Sequence, residues 1–152
     1  MRLNSIIYLL IGVLVFSCSS DDGSTPEPSI VGSWNATSFT TSLLFDFNGD
    51  GEESNDIISE LECYTSHLAL SEDGTFSSST SDLIITQTGD SFTGECGPSF
   101  RRSGTYTYDN GVLTTVNSGQ TITSMVNFTA TELTLSAQDQ DFGNVVVTYR
   151  RN

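Results

Sequence analysis

From residue 30 onward, apolar and polar positions alternate in short runs. "TFSSST" (75–80), "GTYTYDNG" (104–111), "GVLTTV" (111–116), "TITSMVNF" (121–128), "ELTLSA" (132–137) and "NVVVTY" (144–149) are rich in β-branched and aromatic residues. Turn formers separate them at Asp73-Gly74, Gly89-Asp90, Asn110-Gly111, Ser118-Gly119 and Gly143-Asn144. Asn110-Gly111 between two alternating runs is a strong hairpin signal. In "TITSMVNF" the alternation puts Ile122, Ser124, Val126 and Phe128 on one face and Thr121, Thr123, Met125 and Asn127 on the other. One buried face and one wet face is the pattern of an antiparallel sheet. About eight such strands at this spacing predict an all-β fold, a barrel or a sandwich. Only "SNDIISELECY" (54–64) departs from it. There Ile57, Ile58 and Leu61 fall at helical spacing after Ser54 as a cap, which predicts one short helix.

The first seventeen residues, "MRLNSIIYLLIGVLVFS", carry one Arg and an apolar run from Ile6 to Phe16, then end in a small residue. That is the anatomy of a signal peptide, too short to span a bilayer comfortably. Cys18 follows, and "LVFSC" resembles the bacterial lipobox, in which a small residue precedes a lipidated Cys. The resemblance implies an exported lipoprotein held to a membrane by several acyl chains at Cys18, enough for stable anchoring. Residues 18–29 then read as a flexible acidic tether, interrupted by Pro26 and Pro28. "CSSDD" resembles the acidic signal that sends Bacteroidetes lipoproteins to the cell surface, so the expected location is the outer membrane, facing outward.

The chain has 152 residues, 5 basic and 19 acidic, with a formal charge of −14. Its length suits one domain, here residues 30–152. So acidic a chain is repelled by phosphate backbones, which argues against nucleic acid as a partner. Three Cys is an odd count for an exported protein; with Cys18 lipidated, Cys63 and Cys96 are left as an even pair in an oxidising compartment. Closing that loop would stabilise by roughly 3–4 kcal/mol. Zinc is disfavoured, because neither Cys belongs to a CxxC and the chain has a single His, His67.

"IVGSWNATS" resembles the Gly-x-Trp opening of lipocalins and related calycins, as Gly32-Ser33-Trp34. The cadence of "LSEDGTFS", "SGTYTYDNGVLT" and "FTATELTLSAQD" is similar to that of small lipocalin-like lipoproteins of Bacteroidetes. The resemblance covers residues 30–152 and implies an eight-stranded antiparallel barrel with one short helix after the first strand. It also implies that Trp34 closes one end, with Arg150 or Arg151 packed over its ring. Such a barrel either holds one small ligand or fills with side chains. Inward positions by parity include Trp34, Val126, Leu133 and Leu135; Phe76, Tyr106, Tyr108 and Phe128 would line a pocket for a small apolar or amphipathic ligand. The same residues would equally make a closed core, in which case the protein is a structural or protein-interaction module of the envelope.

"FDFNGDGEESNDI" (45–57) matches part of an EF-hand-type calcium loop. Asp46, Asn48, Asp50 and Gly51 fill positions 1, 3, 5 and 6, Glu52 offers a carbonyl at 7 and Ser54 stands at 9. Position 12 is Ile57, which coordinates nothing, so the last carboxylate would come from Asp56 or Glu60. The competing reading is an acidic turn. Catalytic machinery is not visible. His67 lies in "SHLAL" opposite Leu68 and Leu70, there is no Lys, and no Gly-x-Ser-x-Gly occurs. The expectation is a non-enzymatic protein with an unknown protein partner; an enzyme using a pair of the abundant Asp and Glu carboxylates is the third-ranked reading.

Overall fold

A computed structural model describes residues 28–89 and 91–152. The stretch expected to be a signal peptide, Cys18 and most of the expected tether lie outside the described residues, as does Asp90.

The described residues form β1 (Gly32–Phe45), β2 (Ser54–Asp56), α1 (Ile57–Glu60), β3 (Ser66–Leu70), β4 (Thr75–Thr88), β5 (Ser91–Asp109), β6 (Val112–Asn117), β7 (Gln120–Phe128), β8 (Glu132–Asp139) and β9 (Gly143–Arg151). All pairings are antiparallel. They run β1-β3-β4-β5-β6-β7-β8-β9 and close back from β9 onto β1, through Trp34↔Arg151 to Thr40↔Val146. The result is an eight-stranded closed barrel, with β2 added as a short extra strand on β1. Full closure leaves none of these eight strands with a free edge along its whole length.

The predicted turns are where the barrel reverses. Asn110 and Gly111 have φ of 48° and 80°, and Ser118 and Gly119 have 48° and 82°. Two successive left-handed residues match the twist of the strands they join, so register is fixed at both hairpins. The β4–β5 hairpin is longer than the alternation suggested, with pairing from Thr75↔Thr105 out to Thr88↔Ser91. Gly94, Gly97 and Pro98 hide this stretch in the sequence. At Gly94 the gap is a packing requirement: an added Cβ would come within 2.8 Å of the Phe47 ring and 2.9 Å of Leu61.

The helix is shorter than expected and capped elsewhere. Ser54–Asp56 pair with β1 instead of starting the helix, and Asp56 is the N-cap, accepting from the Ile58 N–H at 3.0 Å. Ser54 accepts from the Asp56 N–H. The turn ends at Glu60, since Leu61 has already left helical geometry (φ −130°, ψ 87°) and Cys63 is bridged to Cys96.

Two apolar clusters result. The main core joins Ile30, Trp34, Leu68, Leu70, Phe76, Leu113, Val126, Leu133 and Tyr149, drawn from seven of the barrel strands and the segment before β1. A second cluster gathers Phe47, Ile57, Leu61 and Tyr64 against Phe39, Phe45, Leu83, Cys96 and Phe142. Phe45 stacks on Phe47 at 4.5 Å and meets Phe142 edge-on at 6.0 Å.

Candidate functional site

At one end the barrel is sealed. Trp34 is fully buried, its indole N–H donating to the Ile30 carbonyl at 2.9 Å. The guanidinium of Arg151 lies over the ring at 4.1 Å and donates to the carbonyls of Val31, Ala130 and Ser29. Of the two arginines the sequence offered, Arg151 fills this role and not Arg150. Side chains alternate along β9, so Arg151 shares the inward face of buried Tyr149, while Arg150 is exposed. Gly32 is explained here too. Its φ of 150° suits glycine, and a Cβ at that position would collide with the Arg151 guanidinium.

Above the main core the barrel holds a cavity of about 170 Å³ that is partly open to solvent. Its floor is apolar, made by Leu68, Phe76, Leu113 and Leu135. Hydroxyl groups of Ser66, Ser78, Thr80, Thr115, Ser124 and Tyr149 line the walls, with Asn117, Gln120 and Ile122 beside them. Arg102 is the one charged side chain among the lining residues. Burial raises the Tyr149 pKa above the ordinary phenol value, against a smaller downward pull from its hydrogen bond with Ser66 (3.4 Å), in which either hydroxyl can donate.

Of the four aromatic positions expected to line a pocket, the structure brings only Phe76 to the cavity. Tyr106 and Phe128 pack against the main core, and the Tyr106 hydroxyl donates to the Ser71 carbonyl at 2.8 Å. Burial, with the negative charges of Asp73 and Glu72, raises the Tyr106 pKa. Tyr108 lies edge-on to Phe128 at 5.7 Å and is half-exposed. The residues that sequence reasoning missed are the polar ones. Parity could have found them, because Ser78 and Thr80 share a face with Phe76, and Ser124 shares one with Val126. Arg102 was harder, since the strand around it was not recognised.

The acidic loop is an ordered turn. Asp46 accepts from the backbone N–H of Gly49 (2.8 Å), Asp50 (3.1 Å) and Gly51 (3.0 Å). Asn48 accepts from the Asp50 N–H and donates to its carboxylate, and Asp50 accepts from the Glu52 N–H. The structure thus brings Asp46, Asn48 and Asp50 together. Both residues offered for the twelfth position have other work. Asp56 Oδ1 accepts from the N–H of Phe39 and of Ile58, and buried Glu60 accepts from the Phe47 N–H at 3.0 Å. Among the described residues no three His, Cys, Asp or Glu side chains are grouped to hold a metal ion.

Cys63 and Cys96 form a disulfide, with Cα atoms 6.0 Å apart. His67 projects from β3 on the outer face and hydrogen-bonds Ser33 at 2.9 Å; Ser33 also accepts from the Asn152 amide.

The architecture is an antiparallel, closed, eight-stranded barrel compatible with a lipocalin-like fold. No protein-family model, curated protein or solved structure matches the chain.

Proposed function

We propose that this protein is an envelope-anchored binding module whose barrel takes one small apolar or amphipathic ligand and performs no catalysis. The observation that carries the reading is the cavity of about 170 Å³, with an apolar floor and hydroxylated walls, inside a closed barrel. A barrel serving only as scaffold needs no such space, because eight strands enclose an interior that side chains can fill. Native mass spectrometry of gently isolated protein tests it. A retained small molecule, lost on denaturation, is expected; its absence across mild preparations favours the interaction module with no small ligand.

Anchoring rests on the sequence, in the apolar run and "LVFSC". Incorporation of tritiated palmitate, abolished by Cys18→Ala, is the expected result, and protease accessibility on intact cells tests display on the outer surface. The proposed structural calcium fits its loop only in part. Asp46, Asn48, Asp50 and the Glu52 carbonyl would hold it, with the twelfth-position carboxylate missing. Its affinity then falls roughly in the 10⁻⁴–10⁻³ M range of weak extracellular sites. With calcium several-fold to tenfold above Kd, mass action raises stability by about 1–2 kcal/mol, and Asp46→Ala/Asp50→Ala removes the gain. Equal melts in EDTA and in millimolar Ca²⁺ would leave the stretch as a solvated turn.

A further inference from the structure

We propose that the barrel cavity selects a small amphipathic anion, a carboxylate on a compact apolar body, with Arg102 as the anchor of the head group. The inference rests on the binding reading above and narrows it by charge and size.

Charge comes first. The chain carries 19 acidic and 5 basic residues, yet none of the lining residues is acidic and the one charged group among them is a cation. In a field that otherwise repels anions, that local inversion marks the wall where a negative group is stabilised. Arg102 pairs with Ser78 across the β4–β5 ladder and lies two residues from Phe100 on the same strand face. Its guanidinium sits over the Phe100 ring at 5.1 Å. That cation–π contact steadies the exposed Arg102 side chain at the mouth of the cavity without taking up its N–H groups in hydrogen bonds to protein oxygens. Arg151 is the contrast within the same molecule, since its donors are taken up by three backbone carbonyls. Ser78, paired directly with Arg102, supplies a hydroxyl donor to the same head group.

Size comes second. The volume is close to that of an engineered apolar cavity of about 150 Å³ that takes up benzene, which limits the part of a ligand held within it to roughly six to ten non-hydrogen atoms. A long acyl chain would leave most of its length outside the cavity. The apolar part rests on Phe76, Leu113 and Leu135, with the carboxylate towards Arg102.

Benzoate and benzamide have the same shape and differ in charge, so they serve as probes. Each is titrated into the full-length chain by calorimetry at about physiological salt, where screening of a partly enclosed pair is incomplete. Benzoate is expected to bind at least about tenfold more tightly than benzamide, the effect of one charge-assisted pair. Arg102→Gln should bring the ratio close to one, chiefly by weakening benzoate, with far-UV circular dichroism confirming the fold. Thr115→Trp, which fills the cavity, should abolish binding of both. Equal affinity of the two probes in the wild type overturns the anion proposal and leaves the binding module standing. Discrimination that survives Arg102→Gln, or binding that survives Thr115→Trp in a folded variant, overturns the assignment to Arg102 and the cavity. No binding of either probe overturns the proposal and counts against the binding reading as well.

Discussion

Trp34 and Ile57 are 0% and 1% exposed, yet they reach that state by different routes. Trp34 is a strand residue paired with β3 on one side and β9 on the other, and its neighbours in the main core come from strands all round the barrel. Ile57 begins a four-residue helix held by local devices: the Asp56 cap, the Glu60 bond to Phe47, and the disulfide. The main core cannot open without breaking the barrel's ladders. The second cluster can separate while most of the ladders stay intact. A segment held by side-chain packing and caps, with only the short β2 pairing of its own, opens at lower free energy than the global transition, so this cluster is the expected first unit to unfold.

The comparison breaks most directly at Trp34. Trp34→Ala should cost about 3–5 kcal/mol, the usual range for emptying a buried Trp site. Near- and far-UV circular dichroism in a urea titration should shift together, because one cooperative unit is lost. A near-UV transition well ahead of the far-UV one would show that the core is less unified than its pairing suggests.

Removing the staple should have the next largest effect. Cys63→Ala/Cys96→Ala should cost roughly 3–4 kcal/mol if the chain-entropy account applies. Hydrogen exchange then distinguishes the two regions. Amides of residues 47–64 should exchange faster, whereas β6–β8 keep their protection relative to global stability. A uniform rise would mean that the clusters form a single unit.

Glu60 provides a finer probe. Glu60→Ala leaves the buried Phe47 N–H without its acceptor, at a cost of about 1–3 kcal/mol. Glu60→Gln keeps an acceptor and should recover most of the loss in a thermal melt. Equal destabilisation by both would point to the negative charge and not to the hydrogen bond.

The smallest effect is alkaline. Burial, with a further contribution from Tyr149, pushes the Tyr64 pKa from 10.0 up to about 12. A phenol with a raised folded pKa favours the protonated form in the native state. Its contribution is therefore complete below pH 10 and is lost as pH rises towards 12. After allowing for partial solvent access, this is about 1–2 kcal/mol. Tyr64→Phe should flatten that part of a stability–pH profile, and an unchanged slope would move the effect to other tyrosines.

Much of the barrel was legible because its strands are two-faced. Where one side meets the core and the other meets water, period two appears in the residues themselves, as in "TITSMVNF", and the turns announce themselves through Asn110-Gly111 and Ser118-Gly119. The far part of the β4–β5 hairpin was not legible. Gly94, Gly97 and Pro98 read as breakers, and only the approach of Phe47 and Leu61 explains why a strand keeps a glycine there. The helix was over-extended because Ser54–Asp56 suit a helix start locally, but pairing with β1 claims them. Candidate aromatic positions were recognised as inward-facing in part, yet parity does not give depth along the barrel. Phe76 borders the cavity, while Tyr106 and Phe128 pack against the core.

The sequence by itself determined the strand alternation, the hairpin turns, the pairing of two of three cysteines, and the Gly32-x-Trp34 opening. These are local chemistry: side-chain period, left-handed turn residues, and what an odd thiol count permits. Only the tertiary structure decided that Arg151 and not Arg150 covers Trp34, that Asp56 and Glu60 stabilise backbone donors, and that Arg102 stands alone as a charge on the cavity wall. Each of these depends on which strands become neighbours and on how far along the barrel a side chain sits. Closing the sheet fixes both at once, through contacts between residues as many as 122 positions apart, such as the Arg151 bond to Ser29.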